Sequence, residues 1–390
     1  MSDGSGVHWL RRPGFKPASW NPIKARNKKS GKIGWYCVHK TEACRFCYAE
    51  AINRRLGTGV DYVASRRDEV ELFLDERVLR APLHWRDPRM IFLDSMSDLY
   101  GEFVPDLWIA RIAAVEALCP QHIFIELTKR PDRMREFNIG VPGIAGRIRD
   151  IADLMAVAAR EVAMRAAAFL RTVDEPWPLP NVWRGASVHD QPSADEFVPE
   201  VLATPAAVRW ISYEPALGPV DLAYIPYENG EHFNALAGIV RNGARARLDW
   251  VVAGGESGTD ARGHDVGWDL ALQRQCRDAG VAFYEKQVGA RPYFSDADLA
   301  RDPGLAEWPR AREGAPNLCD AKKAAGGRSG RGIHYGGDGE GRYHITGLRD
   351  RQGGDPEEWP AELRVREWPS FAKAPAVAEA LAGRSEGGPA

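Results

Sequence analysis

Three of the six cysteines, Cys37, Cys44 and Cys47, fall within eleven residues in the pattern C-x6-C-x2-C. Thiolates this close in one loop can converge on a single metal centre. Structural zinc takes four protein ligands, so zinc here requires a fourth from His39 inside the loop or from a distant residue. Three thiolates with one position left open describe a different chemistry: a 4Fe–4S cluster whose fourth iron is free for a substrate or cofactor. Three unrelated thiols are the plain alternative. Six cysteines so unevenly placed in 390 residues do not form a disulfide scaffold.

Carboxylates supply the second set of candidates. Glu126, Glu214 and Glu285 lie inside or at the end of apolar runs, where burial without a partner costs several kcal/mol. Lys129, Arg130 and Lys286 are the counter-charges nearest in sequence. The run Gly254-Gly255-Glu256-Ser257 follows a further apolar segment, and glycines in that place let the backbone approach a ligand closely.

The elements that must position these residues read as short apolar runs rich in Val, Ile, Phe, Trp and Tyr. They are Gly34–Val38, Met90–Asp94, His122–Thr128, Val182–Val188, Val208–Tyr213, Asp249–Ala253 and Val281–Lys286. Most are apolar without alternation, as expected of parallel strands covered on both faces. Helical segments are expected between them at Tyr48–Leu56, Asp106–Leu118, Arg147–Arg171, Ala194–Ala203 and Trp268–Ala279, with Gly280 as a stop signal. Alternating strand and helix selects an α/β fold, and seven strands suit a full or partial (β/α) barrel. Barrel chemistry sits where strands end, and these strands end in the cysteines, Asp94-Ser95-Met96-Ser97-Asp98, Thr128-Lys129-Arg130, Ser187-Val188-His189-Asp190, Tyr213-Glu214, Gly254-Gly255-Glu256-Ser257 and Glu285-Lys286-Gln287.

Cys44-Arg45-Phe46-Cys47 resembles the second half of the radical S-adenosylmethionine (SAM) signature, in which an aromatic residue precedes the last cysteine. The first spacing departs from it, with six intervening residues in place of three. Trp20-Asn21-Pro22, the cysteines with Tyr48-Ala49-Glu50, Leu127-Thr128-Lys129-Arg130-Pro131, Ser212-Tyr213-Glu214-Pro215 and Gly254-Gly255-Glu256-Ser257-Gly258 occur in order. Over residues 15–290 these blocks resemble a phage-associated three-Cys-motif family of radical-SAM-like proteins. The resemblance implies a radical-SAM-type barrel with a 4Fe–4S cluster on Cys37, Cys44 and Cys47, and SAM as cofactor. It places the SAM amino group at Asp94 and Ser95, its carboxylate at Lys129 or Arg130, and its adenine near Phe46. Glu214, Gly254, Gly255 and Glu256 fall nearer the ribose or substrate. Reductive cleavage to a 5′-deoxyadenosyl radical then requires an external electron donor of flavodoxin or ferredoxin type. Tyr48, Tyr213 and Cys276 are candidate donors of a closing hydrogen atom.

Composition sets the wider limits. Hydrophobic residues make up 44% and charged residues 27%, which excludes wholesale disorder. No apolar stretch reaches the eighteen residues of a spanning helix, and no apolar signal region follows Met1, so a cytoplasmic setting without membrane contact is expected. The net charge of −2 conceals an asymmetry: residues 1–60 hold twelve Lys and Arg against three Asp and Glu. Residues 1–33, broken by Pro13, Pro17 and Pro22, read as a basic extended arm whose cations and aromatics suit DNA or RNA. Residues 34–290 read as the barrel, and 291–390 as an irregular Gly/Arg/Pro-rich extension with a mobile tail, whether or not it serves as a lid. A nucleic-acid-binding protein with a structural zinc or iron–sulfur site is the alternative to an enzyme.

Overall fold

The computed structural model describes residues 8–140, 178–227, 230–241, 244–308, 334–337 and 341–370. Its central element is a seven-stranded sheet: β1 (Lys16–Trp20), β2 (Arg89–Leu93), β3 (Ile123–Thr128), β4 (Val182–Val188), β5 (Val208–Tyr213), β6 (Trp250–Gly254) and β7 (Ala282–Gln287). Spatial order follows chain order from β1 to β7, and the pairs β1–β2, β2–β3, β3–β4 and β6–β7 are parallel. A doubly wound sheet reverses its order at a switch point, whereas this one does not, so the sheet is of the kind found in a partial (β/α) barrel. Its central strands are covered on both faces, and all residues of β4 and β6 are buried.

Helices follow the strands as the apolar pattern requires. They are α1 (Tyr48–Leu56), α2 (Asp106–Ala117), α3 (Gln191–Ala203) and α4 (Val266–Ala279), and residues 131–140 are also helical. Pro105 and Asp106 start α2, while Gly280, at φ 63°, ends α4 in the left-handed conformation that glycine adopts without strain. The helix expected at 147–171 lies outside the described residues.

Two expectations for the N-terminal residues are corrected. The residues read as a basic extended arm are part of the folded body: Trp9 and Leu10 are buried, Trp9 packs its ring on Phe92 and Trp210, and Lys16–Trp20 is the sheet's first strand. Pro17 is tolerated there because β1 is an edge strand, where a missing N–H costs no ladder bond. Gly34–Val38, expected as the first barrel strand, contributes only Gly34 to the short strand Ile33–Gly34. That strand pairs with Ile23–Asn27, which in turn pairs with Val70–Leu74.

The chain divides into two compact units, residues 1–186 with 199–210 and 370–390, and residues 187–198 with 211–369. The second unit corrects the reading of 291–390 as irregular where its residues are described, at 291–308, 334–337 and 341–369. Strand Pro292–Ser295 pairs with His264–Asp265 and with Arg342–Thr346, and Val266, Phe294, Trp308, Ile345, Trp359 and Leu363 share one core. The Trp308 and Trp359 indole N–H groups donate to the carbonyls of Glu358 (2.7 Å) and Gly353 (3.1 Å). The Gly/Arg-rich residues 321–333 and the tail from 371 lie outside the described residues, and with them the question of whether the extension is a lid.

Two helix N-caps meet in this unit. Asp265 caps α4 by accepting the Gly267 N–H at 2.9 Å, and Asp298 closes a capping box with Ser295 at helix Asp296–Arg301. A Cβ on Gly267 would lie 2.3 Å from the Asp298 carboxylate, which is why only glycine fits. Burial, then the neighbouring Asp298, raises the Asp265 pKa to about 7, against about 3.9 in an unfolded chain. The native chain alone therefore holds this proton between those values. The stabilisation is complete below about pH 4 and is lost as pH rises through 7. Asp265→Asn keeps the cap and should raise stability at pH 8 by about 1–2 kcal/mol, with little gain at pH 4. Urea denaturation across that range checks it, and a wild-type pH profile in the variant would contradict it.

Candidate functional site

In the first unit the cysteines occupy a loop that follows β1 and the small antiparallel sheet. Cys44 ends a 3-10 turn, Glu42–Cys44, and Cys47 is the N-cap of α1. The turn is closed by Cys44 N–H to the Thr41 carbonyl (3.0 Å) and Cys47 N–H to the Cys44 carbonyl (3.2 Å). All three thiols are free and half-buried. Burial pushes the Cys37 thiol far up; Asp98 adds to this and Arg130 opposes it. Burial also raises Cys47, while the N–H groups of Glu50 and Ala49 at the start of α1 and the Lys129 ammonium pull it down. Cys47 and Cys44 add to the rise at Cys37, and Cys44 adds to that at Cys47, so the donor chemistry suits a thiolate-bound centre. Among the described residues, however, no three His, Cys, Asp or Glu side chains stand close enough together to hold a metal ion. His39, the candidate fourth ligand for zinc, has its Nε2 3.3 Å from the Glu50 carboxylate.

The loop after β2 is tied to the cysteine loop through backbone carbonyls. Ser97 Oγ donates to the Tyr36 carbonyl (2.7 Å), Tyr62 OH to that of Met96 (2.8 Å), and Tyr48 OH to that of Ser95 (2.7 Å). Asn21 Oδ1 accepts the Met96 N–H at 3.0 Å and the Ser95 hydroxyl at 3.3 Å. Asp94 directly follows β2 at φ 45°, the only left-handed non-glycine among the described residues. It is 3% exposed, and neither carboxylate oxygen makes a hydrogen bond of ordinary geometry. Burial raises its pKa well above the usual carboxylate range, offset in part by the Ile23 N–H and Lys24. Lys24 lies over the Trp35 ring at 4.2 Å, and burial lowers its pKa while Asp94 and Asp75 raise it. A strained, desolvated carboxylate at a strand end is a recognised mark of a ligand site.

Other expected residues stand as follows. Phe46 is 38% exposed, with the Arg45 guanidinium over its ring. The Lys129 N–H donates to Asp98 at 3.1 Å, and its ammonium acts on Cys47. Arg130 is taken out of the pool of free cations: its guanidinium is buried and donates to Asp98, Glu102 and the Val38 carbonyl. Glu126 finds its counter-charge in Arg184, at 3.0 Å and directly opposite in register, with Tyr100 OH donating to it at 2.8 Å.

In the second unit Glu214 is held by Lys286 (2.6 Å) and Gln287 (2.9 Å), as the charges suggested. Gln287 Nε2 also donates to the Gly255 carbonyl at 2.8 Å. A Cβ on Gly255 would lie 2.5 Å from His264 Nδ1, and on Gly254 it would lie 3.1 Å from the Gln287 carbonyl, so close backbone approach is what these glycines serve. Glu256 accepts from the Arg262 N–H (2.9 Å), Nε (3.0 Å) and Nη2 (2.7 Å), which closes the loop between them. Glu285 is fully buried, and its carboxylate makes no hydrogen bond of ordinary geometry. Burial and the nearby Asp269 push it up, against Arg366.

Sequence reasoning missed the buried pair behind Gly255: His264 Nε2 lies 2.8 Å from Asp269, with Nδ1 2.9 Å from the Val288 carbonyl. Of the candidate hydrogen-atom donors, Tyr48 is half exposed, Tyr213 is buried with its hydroxyl on the Gly218 carbonyl, and Cys276 is buried.

No helix among the described residues is long and apolar enough to cross a membrane. No curated protein and no solved structure matches the chain. A family model described as a protein of unknown function, DUF5131, matches residues 19–336, and the chain belongs to that family.

Proposed function

We propose that the chain is a radical-SAM-like iron–sulfur enzyme acting on a nucleic acid or nucleotide. The observation that carries the reading is the placement of three free, half-buried thiols on one loop after the first strand of a parallel sheet whose strands run in chain order. When bound, a 4Fe–4S cluster supplies one electron, taken from a flavodoxin- or ferredoxin-type donor, that breaks the C5′–S bond of SAM into methionine and a 5′-deoxyadenosyl radical. In this reading Cys37, Cys44 and Cys47 hold the cluster. Asp94, desolvated and lacking an ordinary hydrogen bond, accepts the SAM ammonium beside Ser95. Lys129 faces the carboxylate, and Phe46 lies along the adenine.

Anaerobically reconstituted protein should carry about four irons per chain and release 5′-deoxyadenosine from SAM under dithionite. One tightly bound zinc and no cleavage would instead select a nucleic-acid-binding protein with a structural metal.

The basic segment supports a polyanionic partner in either case. It forms a hairpin whose tip is fixed by Asn27 Oδ1, which accepts the N–H groups of Lys29 and Ser30 at 2.9 Å each. Lys28, Lys29 and Lys32 are exposed there. Changing all three to alanine is expected to weaken binding of labelled DNA or RNA about tenfold and to reduce the slope of log K against log salt by about 3. An unchanged salt slope would remove the hairpin from the interface.

A further inference from the structure

Cys37 differs from the other two cysteines in how it is held. Cys44 and Cys47 are fixed by the local turn of their own loop. The peptide carbonyls on either side of Cys37 are instead both pinned from the sheet: Tyr36 by Ser97 Oγ at 2.7 Å and Val38 by Arg130 Nη2 at 3.0 Å. Ser97 belongs to the loop after β2 and Arg130 to the segment after β3, so two strand ends converge on one cysteine.

Arg130 is built for this task. Its side chain is 3% exposed, and each nitrogen of the guanidinium has its own acceptor: Nε donates to Glu102 (2.7 Å), Nη1 to Asp98 (3.1 Å) and Nη2 to Val38. Asp98 is fixed in turn by the Thr128 hydroxyl (2.7 Å) and by the N–H groups of Tyr100 (3.0 Å) and Lys129 (3.1 Å). The Val38 carbonyl also lies 3.7 Å from the Cys37 sulfur. When the thiol gives up its proton to a metal it can no longer donate to that carbonyl. The guanidinium keeps the carbonyl satisfied and sets a positive charge near the new thiolate.

We infer that Arg130 is a positioning residue that anchors Cys37 as the fixed ligand of the thiolate centre, and that it does not contact the SAM carboxylate. Its value for metal binding rests on the proposed thiolate centre, whereas its anchoring of Cys37 does not. A lysine cannot reproduce it, because a single ammonium cannot reach Asp98, Glu102 and Val38 together in the geometry of the fork.

The test uses full-length metal-free protein. Iodoacetamide labelling of Cys37 is followed by peptide mass spectrometry, with the buried Cys119 and Cys276 as internal reporters of unfolding, and Co2+ is titrated by its thiolate charge-transfer band. Both Arg130→Gln and Arg130→Lys are expected to raise the Cys37 labelling rate and to weaken Co2+ binding about tenfold, with Cys119 and Cys276 still protected. The lysine variant keeps the buried positive charge and guards against a glutamine variant that fails to fold. Wild-type Cys37 labelling and Co2+ affinity in Arg130→Lys would overturn the inference. If wild-type protein takes up no Co2+, the thiolate-centre reading fails, while the Cys37 labelling rates still decide the anchoring.

Discussion

Replacing Cys37, Cys44 and Cys47 together by alanine is expected to reduce iron and sulfide incorporation to background, abolish SAM cleavage and leave the fold in place. The loop that carries them contributes little to the main sheet. The three side chains are half-buried, and Cys47 caps α1 without a side-chain hydrogen bond of ordinary geometry, so each truncation should cost about 1 kcal/mol. The loop stays attached through Ser97, Tyr62, Tyr48 and Arg130, none of which uses a sulfur. Alanine at Cys119 or Cys276 serves as the control, since both thiols are buried and should leave iron content unchanged. Iron and sulfide assays beside circular dichroism decide the matter. Retention of stoichiometric metal by the triple variant would show that these thiols are not its ligands.

Arg184→Met is expected to be the most destabilising single change in the first unit, by about 3–5 kcal/mol. Arg184 lies across the β3–β4 ladder from Glu126, 3.0 Å from its carboxylate, and it also donates to the Pro205 carbonyl at 3.2 Å. Glu116 on α2 is wholly buried beside them; burial, then Glu126, raises its pKa well above the usual range, while Arg184 opposes this. Methionine fills much of the arginine's volume but leaves the Glu126 charge desolvated without its counter-ion, with Tyr100 OH still donating to it. Adding Glu126→Leu to Arg184→Met should recover most of the loss, because a well-packed apolar pair is a fair exchange for a buried ion pair. Urea denaturation of the two singles and the double closes the cycle. A loss below about 1 kcal/mol for Arg184→Met would show that the pair is not needed to offset burial.

The two cases differ in how far the sequence announced them. The cysteines declare themselves through spacing. Glu126 stood out as a carboxylate in an apolar run, but the cations nearest in sequence, Lys129 and Arg130, are not its partners. The partner is supplied by strand register, which pairs β3 with a strand far along the chain. Arg130 went the same way in reverse. The resemblance offered it, or Lys129, for a ligand's carboxylate, and the fold gave it Asp98, Glu102 and a carbonyl beside Cys37.

By itself the sequence determined six of the seven sheet strands and all four labelled helices, because apolar runs, β-branched content and the punctuation of proline and glycine are local properties. It also determined the three thiols and the glycines at the end of β6. Tertiary structure alone decided that Lys16–Trp20 is a strand despite Pro17, since an edge position is defined by neighbours and not by composition. It likewise ordered residues 292–308 and 341–369 around Trp308 and Trp359, whose indoles find carbonyl partners only once the chain has folded back. The same holds for the pairing of the buried charges. Burial makes each ion require a partner, but which partner it meets depends on backbone elements brought together across long stretches of chain.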